Sequence, residues 1–256
     1  MTQLVSWNVN GIRAAQKKGF GEFLAQTSPD ILCLQETKAS PDQLDTALSE
    51  PDGYHAFFAS AEKKGYSGVA IYSRTPPREV RPLGRREFDA EGRTLIAEYA
   101  DFTLITGYFP NSQAGGARLD YKLAYCDAIH AEADRIVADG GHVVICGDFN
   151  IAHTEIDLAR PKQNEDNPGY LPQEREWMSS FLEHGYVDTF RHFVSEPGHY
   201  SWWSYRARAR EKNVGWRIDY HAVDRGFLDR VSSAAIRSDV YGSDHCPVTL
   251  DIEVEL

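Results

Sequence analysis

Six short segments end apolar runs in carboxylates, amides or an imidazole: Ser6-Trp7-Asn8-Val9-Asn10, Leu34-Gln35-Glu36-Thr37, Gly107-Tyr108-Phe109-Pro110-Asn111, Gly147-Asp148-Phe149-Asn150, Arg217-Ile218-Asp219-Tyr220 and Gly242-Ser243-Asp244-His245. Polar groups at strand ends are how a sheet assembles one site from distant parts of a chain. Gathering Glu36, Asp148, Asp219 and Asp244 together is costly unless a cation joins them, and a hard cation is the kind that prefers oxygen ligands. Glu36 with Asn8 supplies the carboxylate and neutral oxygen that suit Mg2+ or Mn2+. Asp148 and Asn150 lie two apart, on one side if the strand continues, so that one can hold a water or leaving oxygen while the other donates to a phosphate oxygen. Asp219, set in an apolar stretch, can orient the imidazole of His245 and favour its cationic form. Taken singly, Glu36 reads as a loop acid, Asn8 and Asn10 as turn residues and His245 as a hydrogen-bonded bystander. Their convergence points instead to metal-dependent hydrolysis.

The elements that must position these groups are legible as aliphatic and β-branched runs. Strands are expected over Gln3–Trp7, Ile31–Gln35, Val69–Ser73, Thr94–Tyr99, Phe102–Tyr108, His142–Gly147, Ile218–Val223 and Val248–Val254. Helical spacing of apolar residues marks Gly21–Gln26, Pro41–Leu48, Leu119–Ala138 and Gln173–His184, with a stripe of Leu119, Leu123, Ile129, Ala133 and Ile136 in the third. Strands and helices mix without a strict βαβ rhythm, which predicts two sheets packed face to face and covered by helices, an α/β sandwich rather than a doubly wound sheet. The segment Ile151–Pro172 has little periodicity and follows directly on Asp148-Phe149-Asn150, so it is expected to overhang the reaction centre.

With 256 residues, 42% of them hydrophobic, the chain can bury a substantial core, and no linker, repeat or low-complexity tract divides it; it reads as one domain over residues 1–256. The apolar runs are far below membrane-spanning length. The N-terminus enters a strand directly, with no basic and apolar leader, which together with four cysteines lacking CxxC spacing predicts a cytoplasmic protein with reduced, packed thiols. A net charge of −11 argues against polyelectrolyte binding by the whole surface. A basic face remains open to it: Arg206, Arg208, Arg210, Lys212 and Arg217 interleave with Trp202, Trp203, Tyr205 and Trp216, and cations beside stacking surfaces suit nucleic acid.

Five blocks in order carry a family resemblance: Trp7-Asn8-Val9-Asn10-Gly11-Ile12-Arg13, Gln35-Glu36-Thr37-Lys38, Gly147-Asp148-Phe149-Asn150-Ile151-Ala152-His153, Asn213-Val214-Gly215-Trp216-Arg217-Ile218-Asp219-Tyr220 and Ser243-Asp244-His245-Cys246-Pro247. Together they resemble the signature blocks of the exonuclease III family of apurinic/apyrimidinic endonucleases, from the first strand to the last. The resemblance implies a DNase I-like four-layered α/β sandwich. It implies Mg2+-dependent cleavage, with Mn2+ as substitute, of the phosphodiester 5′ to an abasic site in double-stranded DNA, removal of blocked 3′ ends, 3′→5′ exonuclease action and a monomeric state. It makes Glu36 the principal metal ligand with Asn8 nearby, and places Asp148, Asn150, Asp244 and His245 around the rest of the metal and phosphate site. Tyr108 is expected to assist beside the phosphate. Asp148 is the expected base, although His245 and a Tyr108 phenolate are alternatives. Trp202, Trp216 and Ile218 sit where the family receives a flipped-out abasic sugar, and Asn111, Arg118, Asn164 and Asn167 are expected contacts to the DNA backbone. Two positions depart from the animal-type pattern. Asn10, itself an expected substrate contact, stands where an aspartate is usual, and Ala114 where an arginine wedges the duplex. The competing readings are a relative restricted to 3′ ends, a phosphoesterase of the same fold acting on lipid or nucleotide phosphates, and a catalytically silent RNA-binding relative.

Overall fold

Runs in which every side chain is buried, Ile31–Gln35, Val69–Ser73 and Val143–Asp148, belong at the centre of covered sheets. The computed structural model describes residues 1–256 and builds these runs into two six-stranded sheets. The first half of the chain contains β1 (Thr2–Asn8), α1 (Ile12–Gln16), α2 (Phe20–Thr27), β2 (Ile31–Gln35), α3 (Thr46–Ser49), β3 (His55–Ala59), β4 (Val69–Ser73), β5 (Glu79–Arg81), α4 (Arg86–Asp89), β6 (Thr94–Glu98) and β7 (Thr103–Tyr108). The second contains α5 (Leu119–Ala138), β8 (Val143–Asp148), α6 (Pro172–Glu183), β9 (Tyr186–Asp188), α7 (Thr189–Phe193), β10 (Asp219–Asp224), β11 (Val231–Ile236) and β12 (Val248–Ile252).

One sheet has the order β11-β12-β1-β2-β4-β3 and the other β5-β6-β7-β8-β10-β9. Each holds a single parallel pair, β1 with β2 and β7 with β8, among antiparallel neighbours. Leu4, Ile71, Leu104, Val144, Val223 and Leu250 fill the space between the sheets. Trp7, Phe20 and Phe23 pack α1 and α2 on the outside of the first sheet, and Tyr125, Ile129, Trp177 and Phe181 pack α5 and α6 on the outside of the second. The result is the four-layered α/β sandwich of the sequence expectation. The four cysteines are buried and unpaired.

Differences from the sequence reading have local causes. Strands β3, β5, β9 and β11 were not anticipated; all lie at or beside sheet edges, and β5 and β9 are three residues long while β11 reads Val-Ser-Ser-Ala-Ala-Ile. Edge strands bury little and so carry a weak apolar signal. The helix expected over Pro41–Leu48 is broken: a single 3-10 turn spans Pro41–Gln43, Asp45 is extended, and only α3 follows. Along α5 the buried stripe passes through Lys122, Tyr125 and Cys126, with Leu119 and Leu123 only partly buried.

Pairing geometry decides where the polar strand ends meet. Because β10 runs antiparallel to β8 and β7 parallel to it, Asp148 faces Asp219 on one side and Tyr108 on the other. Asn8 faces Gln35, one residue before Glu36. The segment before β12 returns to the same end of β1, where the indole of Trp7 donates to the His245 carbonyl at 3.2 Å.

Candidate active site

The backbone at these strand ends is held in conformations that L-residues seldom adopt. Asn10, Glu36, Lys38 and Asn150 have φ of +47°, +53°, +52° and +51°. Outside glycine such conformations persist only where surrounding bonds enforce them. Here the Glu36 carbonyl accepts from Gly11 N at 2.7 Å, and Lys38 N donates to Ser67 O at 2.8 Å. Gly147, at φ +137°, lets β8 press against β7: a Cβ there would lie 1.9 Å from the Gly107 carbonyl oxygen.

Asp148 is the hub. Its Oδ2 accepts from Asn8 Nδ2 at 2.9 Å and Asn150 Nδ2 at 3.2 Å, and its Oδ1 from the Asn150 backbone at 2.8 Å. Burial is the largest influence on this carboxyl; the charges of Asp219 and Glu36 add to it, His245 and the Asn8 bond oppose it, and the pKa rises to about 7. Asp219 Oδ2 accepts from His245 Nδ1 at 2.9 Å, and His245 Nε2 lies 3.9 Å from Asp148 Oδ2. Burial opposes a charge on this ring, but Asp219 and then Asp148 overcome it and raise the pKa to about 10. The two acids favour the imidazolium form, in which Nδ1 donates to Asp219 and Nε2–H is free for a substrate oxygen.

Glu36 is bound by Lys38 Nζ at 2.6 Å and by Asn8 Nδ2 at 2.9 Å. Burial raises its pKa, yet the Lys38 charge and the Asn8 bond outweigh burial and leave it below the ordinary value. Ligand atoms of Glu36, Asp148 and His245 all lie within 4.8 Å of one another. With Asp219 behind the imidazole and one of its oxygens, Oδ1, buried without a partner, the cluster holds more acid than its own cations balance. A hard divalent ion fits between Glu36 and Asp148 on these grounds.

Several predicted residues are bonded to one another around this hub. Asn8 turns its amide hydrogens to both carboxylates while its Oδ1 accepts from Asn10 N at 3.0 Å, so it braces the acids. Asn150 spends its amide hydrogens on Asp148 and the Phe109 carbonyl, the latter at 3.0 Å, and its Oδ1 accepts from Asn111 at 3.1 Å. Asp244 lies outside the converging trio: its oxygens accept from Asn10 Nδ2 at 2.9 Å and Trp202 Nε1 at 3.1 Å. The Tyr108 phenol is driven well above its ordinary pKa by burial, then by Glu36 and Asp148, and so remains a phenol.

A cavity of about 830 Å3 joins this acidic end to an apolar wall. Trp202 and Trp216 meet edge to face, ring centres 6.3 Å apart at 88°, and with Ile218 they line the same space as Glu36, Asp148 and His245. Asn111, Asn164 and Asn167 also line it, and the 151–172 segment supplies much of the opposite wall. Within that segment Asn164 is consumed in shaping the loop, donating to Arg160 O at 2.9 Å and accepting from Asn167 Nδ2 at 2.7 Å. Arg118 does not line the cavity. Its guanidinium binds Tyr66 and Glu91, which also hold Arg93, and Arg93 donates to the Tyr108 carbonyl at 2.8 Å.

The basic cluster read from the sequence separates in space. Arg217 is fully buried between Asp157 and Asp188, each at 2.7 Å, and Arg210 stacks on Trp203 and Tyr241. Arg206 remains on the cavity rim, joined there by Arg160. Lys38, Arg93 and Arg160 were missed as site residues; each lies in a loop or short turn whose sequence carries only an ordinary surface charge.

A two-sheet sandwich with a carboxylate–imidazolium cluster at one end of both sheets defines a hydrolase of phosphate esters. Residues 5–245 match the Endonuclease/Exonuclease/phosphatase family, and the chain belongs to that family. It is 45% identical to an exodeoxyribonuclease of Bacillus subtilis, covering 98% of this chain and all of that one, and 42% identical to the DNA repair nuclease APEX1 of Danio rerio, covering 98% and 82%. Among solved structures it superimposes on an AP endonuclease from Archaeoglobus fulgidus with a TM-score of 0.87 at 28% identity, over 99% of this chain and all of that one. It matches the 3'-5' exonuclease NExo from Neisseria meningitidis with the same TM-score at 27% identity, over 98% of this chain and all of that one. Its relatives are thus AP endonucleases and exodeoxyribonucleases. No helix is long and apolar enough to cross a membrane.

Proposed function

We propose that this chain is a DNA-repair nuclease that hydrolyses the phosphodiester 5′ to an abasic site, leaving a 3′-hydroxyl, and that it also clears blocked 3′ ends. The observation that carries this reading is the single cavity that joins the acidic cluster to Trp202, Trp216 and Ile218. A sugar without its base can seat against this apolar wall beside the phosphate-cleaving groups. Mg2+, or Mn2+ in its place, is the proposed ion, held by Glu36 and Asp148. When bound it supplies positive charge against developing charge on phosphate oxygens.

The chain's own residues divide the remaining work. Asp148 is the proposed base that takes a proton from the attacking water: Asn8 and Asn150 fix its carboxylate beside Glu36 and His245. A group that is already protonated cannot be the base, which disfavours His245 and Tyr108. His245 donates through Nε2–H to a non-bridging oxygen, Asp219 keeps it charged, and Asn8 and Asn150 hold Asp148 in place. Tyr108 donates its hydroxyl beside the phosphate, and Asn111, Asn167 and Arg206 meet the backbone of the DNA. The functional unit is the whole of residues 1–256, acting as a monomer in the cytoplasm.

The test compares an internal abasic-site duplex with a duplex ending in a 3′-phosphate. Incision of the first, abolished by EDTA and by Glu36→Ala, is the expected result. Processing of the 3′-phosphate alone would instead favour the 3′-end-restricted reading, to which Ala114 lends itself because it offers no side chain to wedge the duplex. Activity indifferent to both EDTA and Glu36→Ala rules out the metal assignment.

A further inference from the structure

One fully buried ion pair lies behind the cavity and takes no part in the chemistry above. Lys122 of α5 and Glu174 of α6 meet at 2.6 Å with neither side chain exposed. A buried pair contributes little net stability, because desolvation offsets the attraction, and Lys122 occupies the apolar stripe beside Tyr125 and Cys126. Its other contacts are more informative. Lys122 Nζ donates to the Asn150 carbonyl at 2.6 Å. Glu174 Oε1 accepts from Ser112 Oγ at 2.8 Å, and Oε2 accepts from the backbone of Gly169 at 2.7 Å and Leu171 at 2.9 Å.

None of these four partners lies within a strand or helix, and all belong to segments that wall the cavity. Asn150 bears the bonds that orient Asp148, and Ser112 adjoins Asn111, which binds Asn150 Oδ1. Gly169 and Leu171 stand where the overhanging 151–172 segment returns to the body of the protein. We infer that Lys122 and Glu174 form a positioning pair that clamps the loop after β8, the loop after β7 and the end of the overhang into one rigid wall, thereby placing Asp148 for turnover. This inference rests on the nuclease reading, since turnover is its main measure.

The experiment removes the pair without stranding a charge. In Lys122→Met/Glu174→Leu, kcat on an abasic-site duplex should fall about tenfold or more with KM nearly unchanged, as expected when a reacting group is misplaced but binding surfaces persist. Amide hydrogen exchange at Gly169 and Leu171 should rise in the same protein. Ser112→Ala, which leaves the ion pair intact and removes one bond to it, should lower kcat about threefold, again without a matching change in KM. A folded double variant with parental kcat and parental exchange overturns the proposal. Should the double variant not fold, parental kcat in Ser112→Ala overturns it and a selective kcat loss supports it. A parent protein that fails to incise abasic DNA refutes the abasic-site reading alone, and the exchange rates at Gly169 and Leu171 then decide the clamp.

Discussion

Replacing Asp219 by asparagine removes one charge at nearly constant shape and isolates what keeps His245 protonated. The gap between the ring's pKa of about 10 and its ordinary value of 6.5 corresponds to roughly 5 kcal/mol in favour of the charged form. Burial works against that charge, so the acids supply more than this net figure, with Asp219 at 2.9 Å ahead of Asp148 at 3.9 Å. Without the Asp219 charge, burial gains the upper hand and the pKa drops toward or below neutrality. At pH 7.5 the variant then lacks a charged donor to the phosphate, and the loss of one such preorganised donor costs about 10²–10³ in kcat. The assay is a pH–rate profile of abasic-site incision, read beside the NMR titration of the His245 ring. The parent should titrate far above neutrality, and the deficit of Asp219→Asn should narrow as pH falls toward 6. The linkage has a definite sign. His245 has a folded pKa above its unfolded value, so its stabilising contribution is complete below about pH 6.5 and is lost as pH rises through about 10. Thermal stability of the parent should decline over that window, and the variant should lack this component. A kcat for Asp219→Asn within about threefold of the parent at pH 7.5, against the loss reasoned above, or a neutral ring in the parent at that pH, refutes the assignment.

Three further outcomes follow from the geometry. Asp148, raised to about 7, destabilises the fold increasingly as pH climbs from its unfolded value of 3.8 through 7; a cation relieves that burden, so saturating Mg2+ should raise the melting temperature more at pH 8 than at pH 5, and equal shifts contradict the site. Gly147→Ala drives a Cβ to within 1.9 Å of the Gly107 carbonyl, which is backbone and cannot swing aside; urea denaturation should show a loss of at least about 3 kcal/mol, and near-parental stability would mean β7 and β8 are not packed as described. Arg217→Met leaves Asp157 and Asp188 buried without their shared cation and should cost about 3–5 kcal/mol by the same measurement, whereas a change below about 1 kcal/mol would show that those acids are solvated.

Central strands were readable because they bury both faces: Ile31–Leu34 and Val69–Tyr72 are uninterrupted apolar runs, and the expected limits Ile31–Gln35 and Val69–Ser73 coincide with β2 and β4. Edge strands such as β11 were not, since a half-exposed strand needs no such run. The same contrast holds at the site. Glu36, Asp148, Asp219 and His245 stood out because a polar group ending a buried strand is conspicuous. Arg118 and Arg217 could not be told apart by type, yet one faces Glu91 and Tyr66 and the other is sealed between two aspartates.

The sequence by itself determined the α/β sandwich, the strand ends that carry the chemistry and the family blocks, because these depend on residue type and on periodicity along the chain. Only the tertiary structure decided the division of labour. It turned the amides of Asn8 and Asn150 into braces, set Asp244 on Asn10 and Trp202 rather than in the converging trio, and brought the Trp202–Trp216 wall into the cavity of Asp148. Those outcomes depend on through-space distances of a few ångströms between residues as many as 234 apart in sequence, as for Asn10 and Asp244. Hydrogen-bond direction and charge state follow from such distances and from burial, and a linear sequence specifies both only by folding.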